Sequence, residues 1–209
     1  MESPFGKSVS WQEKVKRLFE VVDSGDRLAI LINADPDALA SALALSRLFW
    51  RKVKRAGIFR INRIDRPDNL AFVNLLGIRQ SHLRNLKKSE FNKFALVDSQ
   101  PLHNEAFAGF DYRIIIDHHA VTAKLKADFI DVKPEFGANS TIMTEYLKAA
   151  GIKPSPRLAT ALFYGIKSDT GNFVRETVAA DMIAFRYLYD FANLNVIKKI
   201  ESSEITRKT

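Results

Sequence analysis

Three strand-like runs in this sequence end in side chains that can bind a cation or move a proton. Leu28–Ile32 leads into Asn33, Asp35 and Asp37, Phe94–Val97 into Asp98, and Arg113–Ile116 into Asp117, His118 and His119. A fourth acid, Asp169, lies in GIKSDTG (residues 165–171), after an apolar stretch and before a glycine turn. Carboxylates with imidazole suit manganese, magnesium or zinc. Brought together unneutralised, Asp35, Asp37, Asp98 and Asp169 would repel one another strongly, and divalent cations would remove that cost. Two cations about 3.5–4 Å apart can hold a hydroxide and aim it in line at phosphorus. Singly, each feature has an ordinary explanation, since a strand-end Asp commonly caps a helix or turn. An adjacent histidine pair commonly splits into one inward and one outward side chain. The pointer to a site is that all four features fall at strand ends or glycine turns, where open parallel sheets bind ligands.

Alternating elements must position these groups. Ser10 to Glu13 form a capping box that opens an amphipathic helix over 11–24. Strands are expected at 28–32, 58–61, 94–97, 113–116 and 128–132, the first apolar throughout as in a strand buried on both faces. Helices are expected at 38–55, 68–76 and 156–166, from a cap at Asn139 or Ser140 to Gly151, and from Thr177 to about Phe191. Strand–helix alternation predicts an α/β fold built on a parallel sheet. The tail from Asn193 reads as a final helix or the start of a connector.

Composition bounds the function. The 209 residues are 46% hydrophobic and 27% charged, which excludes wholesale disorder. The chain has no Cys, so disulfides, thiolate metal sites and cysteine nucleophiles are excluded. No apolar run reaches the length of a membrane span, and the N-terminus lacks a signal-peptide stretch, so a cytoplasmic protein is expected. Net charge is +8. Residues 47–88 hold twelve Lys or Arg against Asp65 and Asp68, which suits an anionic partner or an ordinary solvated face. Arg47, Arg51, Lys52, Lys54 and Arg55 fall on the predicted helix, with Phe49 and Trp50 at core spacing.

The segments NADPDALASALAL (33–45), ALVDSQP (95–101), IIIDHH (114–119) and GIKSDTGNF (165–173) resemble, in order and spacing, the motifs of the DHH phosphoesterases. That family includes RecJ exonuclease, the nanoRNase/pAp phosphatases and, more distantly, family II pyrophosphatases. The resemblance implies a Rossmann-like DHH domain, a parallel sheet with helices on both faces, over residues 1–192. Residues 193–209 would be a tail or the start of a linker to a C-terminal substrate-binding domain. It implies metal ligation by Asp35, Asp37, Asp98, His118 and Asp169, with Asp98 bridging, His119 meeting the scissile phosphate or leaving group, and Asp117 orienting a histidine. Ser41 would support the site or meet phosphate, or is an ordinary early-helix serine. The implied cofactor is Mn2+ or Mg2+, and the implied partner is a nucleotide or short oligonucleotide, with a dimer left open.

Three departures temper this. The family carries a histidine four residues before its first motif Asp, where this chain has Leu31; Ala34 replaces a proline. One firm metal site is therefore expected and a second that is weak or empty. Asn33, His82 and His103 are the remaining candidates to fill it, His103 being expected as an exposed loop residue. The family's C-terminal Gly-Gly segment has no counterpart here. A metal-dependent phosphoesterase is the leading expectation. A non-catalytic nucleotide-binding or regulatory module is the alternative, and a purely electrostatic nucleic-acid binder comes last.

Overall fold

The computed structural model describes residues 9–205. A six-stranded parallel sheet runs β1 (Arg27–Ile32), β2 (Arg55–Arg60), β3 (Ser81–His82), β4 (Lys93–Val97), β5 (Tyr112–Asp117) and β6 (Phe129–Val132), in the spatial order β3-β2-β1-β4-β5-β6. The chain moves outward from β1 through β2 and β3, then restarts at β4 on the other side of β1. The crevice between the carboxyl ends of β1 and β4 is therefore the switch point where such sheets bind ligands.

The α/β parallel-sheet expectation holds, but the helices expected on both faces are unequal: the α-helices pack on one face, and only short 3-10 helices border the other. Leu28, Ile30 and Ile32 pack with residues of α1 (Trp11–Glu20), α2 (Pro36–Leu48), α3 (Pro67–Leu75), α4 (Asn139–Ala149), α5 (Pro156–Asp169), α6 (Ala179–Tyr189) and α7 (Leu194–Ile205). Ala29 and Leu31 point the other way, into a smaller apolar cluster with Phe59, Phe91, Leu96, Phe107 and Ile115. Short 3-10 turns at Leu83–Asn85, Lys88–Glu90 and Glu105–Phe107 cover that face. Alternation along β1 produces this split, because successive side chains leave opposite faces.

Several boundaries move, each for a local reason. The helix expected over 11–24 ends at Glu20; Ser10 Oγ caps it, accepting from Glu13 N at 3.2 Å, but Glu13 Oε1 accepts from Arg17 Nε at 2.9 Å, and only the Ser10 half of the expected capping box is seen. α2 begins earlier than expected because Asp35 caps it and Pro36 takes the first helical position, where a missing N–H is harmless. It also ends earlier, at Leu48. Residues 49–54 turn back, with Arg51 in the left-handed region (φ 64°), and Lys54 N donates to Asp26 O at 2.8 Å. Arg51, Lys52, Lys54 and Arg55 are thus not on a helix with Arg47. Phe49 is core as expected, but Trp50 is 65% exposed. The turn lies at the amino edge of the sheet, away from the switch point. α5 extends three residues past the expected end, so Asp169 is its last residue. α6 starts at Ala179, where buried Asp181 reaches back to Val178 N at 2.9 Å. The two-residue β3 was not anticipated, being too short to show a period. Residues 194–205 form α7, with Ile197 and Ile200 buried in the main core.

Candidate metal centre

The first motif folds into the cap and opening turn of α2. Asp35 Oδ1 accepts from Ala38 N at 2.8 Å, so this carboxylate is a helix cap as well as a candidate ligand. Asp37 is buried, with Oδ2 accepting from Asn139 N at 2.7 Å and Oδ1 from Ser140 N at 2.8 Å. The start of α4 is therefore aimed at Asp37, and its helix dipole favours negative charge there. Asn139 and Ser140, expected as caps, are the first two residues of α4 and hold Asp37 through their amides. Each Asp37 oxygen keeps a lone pair for a cation.

Asp98 follows β4 with φ 56°, and its N–H donates to Ile116 O at 2.9 Å. A non-glycine residue in this region stores strain that accumulates at functional sites. Here the twist binds the end of β4 to β5 while Asp98 turns into the crevice.

His118 is the centre of the cluster. Its Nδ1 lies 3.1 Å from the Phe136 carbonyl oxygen, to which it donates, leaving Nε2 to face the crevice. That nitrogen stands 3.3 Å from Asp98 Oδ1 and 3.2 Å from Asp169 Oδ2. Neither contact is aligned as a hydrogen bond, and both His118 Nε2 and Asp98 Oδ1 are buried without a partner. A cation among them would satisfy all three, so the residues fit a metal. Ligand atoms of Asp37, His118 and Asp169 lie within 4.8 Å of one another, as do those of Asp98, His118 and His119. Asp35 joins neither group, although its charge is felt at both Asp37 and Asp98.

The electrostatics match. Burial, then repulsion by Asp169, raises the Asp37 pKa to about 7. Burial, then Asp37, holds Asp98 well above the usual carboxylate range. Burial alone would lower His118, but Asp169 and Asp98 outweigh it and raise the imidazole to about 12. A proton on His118 and a cation would compete for the same two carboxylates.

Asp117 sits beneath this layer, fully buried. Its Oδ1 accepts from His119 Nδ1 at 2.8 Å and its Oδ2 from Gln100 Nε2 at 2.8 Å. Burial would raise its pKa, but these two bonds prevail and lower it. His119 is therefore oriented with Nε2 free. Gln100 Nε2 also donates to the carbonyls of His119 and Ala120, both at 3.2 Å, and so ties the loops after β4 and β5 together.

A cavity of about 530 Å³ opens beside the cluster, lined by His118, His119, Phe136, Gly137, Asp169 and Arg175 among others. Gly171, Asn172 and Phe173 are all left-handed, with φ of 56°, 60° and 66°, and this tight turn brings Arg175 over Gly171. Sequence reasoning missed Gln100, Arg175 and the two amides of α4. Gln100 stood inside a quoted motif but has no titratable group to draw notice. Backbone amides leave no mark on sequence.

The other candidates separate clearly. Leu31 is buried in the smaller apolar cluster. Asn33 is exposed. Ser41 is buried on α2, its Oγ without a partner. His82 lies on the edge strand β3, where its Nδ1 accepts from Arg84 N at 3.1 Å. His103 is exposed, as expected for its loop, yet its ring lies 5.4 Å from that of His119. No helix among the described residues is long and apolar enough to cross a membrane.

Comparison with known proteins bears on the family and the fold. An uncharacterized protein of Methanocaldococcus jannaschii is 40% identical over 175 residues, covering 84% of this chain and 36% of the relative. The A-adding tRNA nucleotidyltransferase of Geobacter sulfurreducens is 27% identical over 199 residues, covering 87% of this chain and 21% of that protein. The chain thus spans about a third or less of the length of these relatives. Two solved structures share the fold. An exopolyphosphatase-related protein of Bacteroides fragilis matches with TM-score 0.73 at 16% identity, over 94% of this chain and 62% of its own. A Methanococcus jannaschii protein provisionally classed as a family II inorganic pyrophosphatase matches with TM-score 0.66 at 22% identity, over 85% and 60%. Residues 27–166 match the DHH family, N-terminal domain, and the chain belongs to that family.

Proposed function

We propose that the chain is a metal-dependent phosphoesterase domain acting on a phosphate ester of a nucleotide or short oligonucleotide. The observation that carries this reading is the unpartnered His118 Nε2 facing Asp98 Oδ1 and Asp169 Oδ2. Asp37, Asp98, His118 and Asp169 would hold one Mn2+ or Mg2+ firmly, with Asp35 beside them. A bound divalent cation supplies positive charge to a phosphoryl group and lowers the pKa of water. The chain's own residues do the rest. Phe136 fixes the His118 tautomer, and Asp117 holds His119 through Nδ1 and favours its protonated form, so that the imidazolium Nε2–H is placed to give a hydrogen bond or a proton to the departing oxygen. The cavity edged by Arg175 offers room for the ester's organic part and a cation for its phosphate. The tRNA-directed names of the nucleotidyltransferase relatives favour a nucleotide-type substrate.

The test is hydrolysis of a generic aryl phosphodiester in excess manganese by the native chain, Asp37→Ala and Asp98→Ala. Turnover lost in both variants supports the reading; no turnover by the native chain overturns it. One observation favours a second reading, a nucleotide-binding module without turnover. Leu31 is sealed in an apolar cluster, so the position that carries an imidazole in the family offers none here. That reading expects nucleotide binding with no product.

A further inference from the structure

His103 stands at the edge of the cluster, and its chemistry differs from that of its neighbours. It closes a turn five residues after Asp98, with its N–H donating to Gln100 O at 3.0 Å. Its ring folds back so that Nδ1 accepts from Gln100 N at 3.2 Å, with Ser99 Oγ at 3.3 Å. A backbone N–H can only donate, so Nδ1 carries no proton and a neutral His103 keeps its single proton on Nε2. His118 is set the opposite way, with Nδ1 donating to a carbonyl.

This tautomer decides what His103 can bind. Ligand atoms of His103, Asp117 and His119 lie within 4.8 Å of one another, which looks like a two-histidine, one-carboxylate metal site. It is not set up as one. Asp117 accepts from His119 and Gln100 and still keeps a lone pair on each oxygen, so the imidazole decides the matter. His103 could ligate a cation only by shedding the Nε2 proton or by releasing the Gln100 amide. An N–H donor fixed beside the cluster suits an oxyanion instead. The His103 ring meets His119 edge-to-face, with centroids 5.4 Å apart and planes at 81°. Gln100, which receives the turn's hydrogen bond, also ties down Asp117 and the His119 carbonyl, so His103 and His119 are held on one bonded unit.

We propose that His103 is a substrate-binding residue, donating its Nε2–H to a non-bridging phosphate oxygen next to His119. This rests on the phosphoesterase reading for the presence of a phosphate there. A neutral donor would position the anion without competing with it for the cation.

Calorimetric titration of Mn2+, then of inorganic phosphate into the manganese-loaded protein, tests this on the native chain, His103→Ala, His103→Gln and His103→Asn. A glutamine amide reaches the position of Nε2, whereas the shorter asparagine reaches only that of Nδ1. We expect unchanged manganese stoichiometry in all four. Phosphate should bind about tenfold or more weakly to the alanine and asparagine variants, with most affinity restored by glutamine. Loss of a manganese site in His103→Ala overturns the proposal in favour of a metal ligand. Unchanged phosphate affinity, or equal loss in all three variants, overturns it in favour of a loop residue without substrate contact. Phosphate binding that depends on His103 but comes with no hydrolysis of any ester supports the proposal while removing the enzyme reading. If the native chain binds neither manganese nor phosphate, both fall.

Discussion

A Cβ on Gly165 would stand 3.2 Å from Asp37 Oδ1 and 2.4 Å from Ser140 Oγ. α5 crosses α2 at this point with no side chain between them, and Asp37 occupies the space. Gly165→Ala therefore attacks the site through packing alone, with no charge changed. We expect destabilisation of about 1–3 kcal/mol, the usual cost of overfilling a packed contact, together with weakened manganese affinity. Chemical denaturation with and without Mn2+ measures both. Full manganese affinity in Gly165→Ala would show that the helices part without moving Asp37.

The proton on His118 makes metal binding and acidity compete. Asp37, with its pKa raised to about 7, holds a proton in the metal-free folded state that it loses near pH 4 when unfolded. The folded state thus binds more protons than the unfolded state between roughly pH 4 and 7, and stability from this group falls as pH rises through that window. A cation reverses the sign, because it needs Asp37 ionised and His118 neutral at Nε2. Adding Mn2+ should raise the melting temperature far more at pH 8 than at pH 5, and binding should release protons. Equal metal stabilisation at the two pH values would mean that Asp37 and His118 are not ligands.

Away from the site, Lys14 and Asp131 form a buried pair at 2.6 Å, and Tyr146 Oη donates to the other Asp131 oxygen at 2.7 Å. This pins α1 and α4 to the end of β6. Burial lowers the Lys14 pKa despite its partner. Lys14→Met leaves Asp131 buried without its cation, which should cost about 3–5 kcal/mol. Manganese stoichiometry should be unaffected, since no proposed ligand touches the pair. Urea unfolding alongside metal titration separates the two effects.

Legibility from sequence varied with the length scale of the cause. β1 and β5 were plain because buried parallel strands read as apolar runs, and the Asp and His groups could be placed because strands end where those runs end. The end of α2 was obscured: Phe49 continues the helical apolar spacing, while the turn at Arg51 is set by a tertiary bond from Lys54 to Asp26. Trp50 went with it and lies in solvent. Asp37 was visible as a carboxylate, but its grip by α4 joins residues over a hundred positions apart, which no local pattern encodes. The position of His103 was invisible for a related reason. Its ring is placed by a turn whose signature, SQPLH, looks like any loop.

Leu31 pairs with Leu96 on β4, which pairs with Ile115 on β5, so the three form one row on the face opposite α2. Asp117 lies two residues beyond Ile115 and so belongs to the same face, toward the carboxyl edge. A histidine at position 31 would enter the site from this side, the side on which Asp117 supports His119. Without metal, Leu31→His places a polar ring in an apolar cluster, and we expect a loss of about 1–3 kcal/mol. With Mn2+, the new imidazole can join Asp35 and Asp98, so stoichiometry should rise from one to two and stability should recover by mass action. Two manganese ions already bound by the native chain would show that another group replaces the histidine. One ion in both proteins would mean that Asp35, held as a helix cap by Ala38, cannot turn to complete the pair.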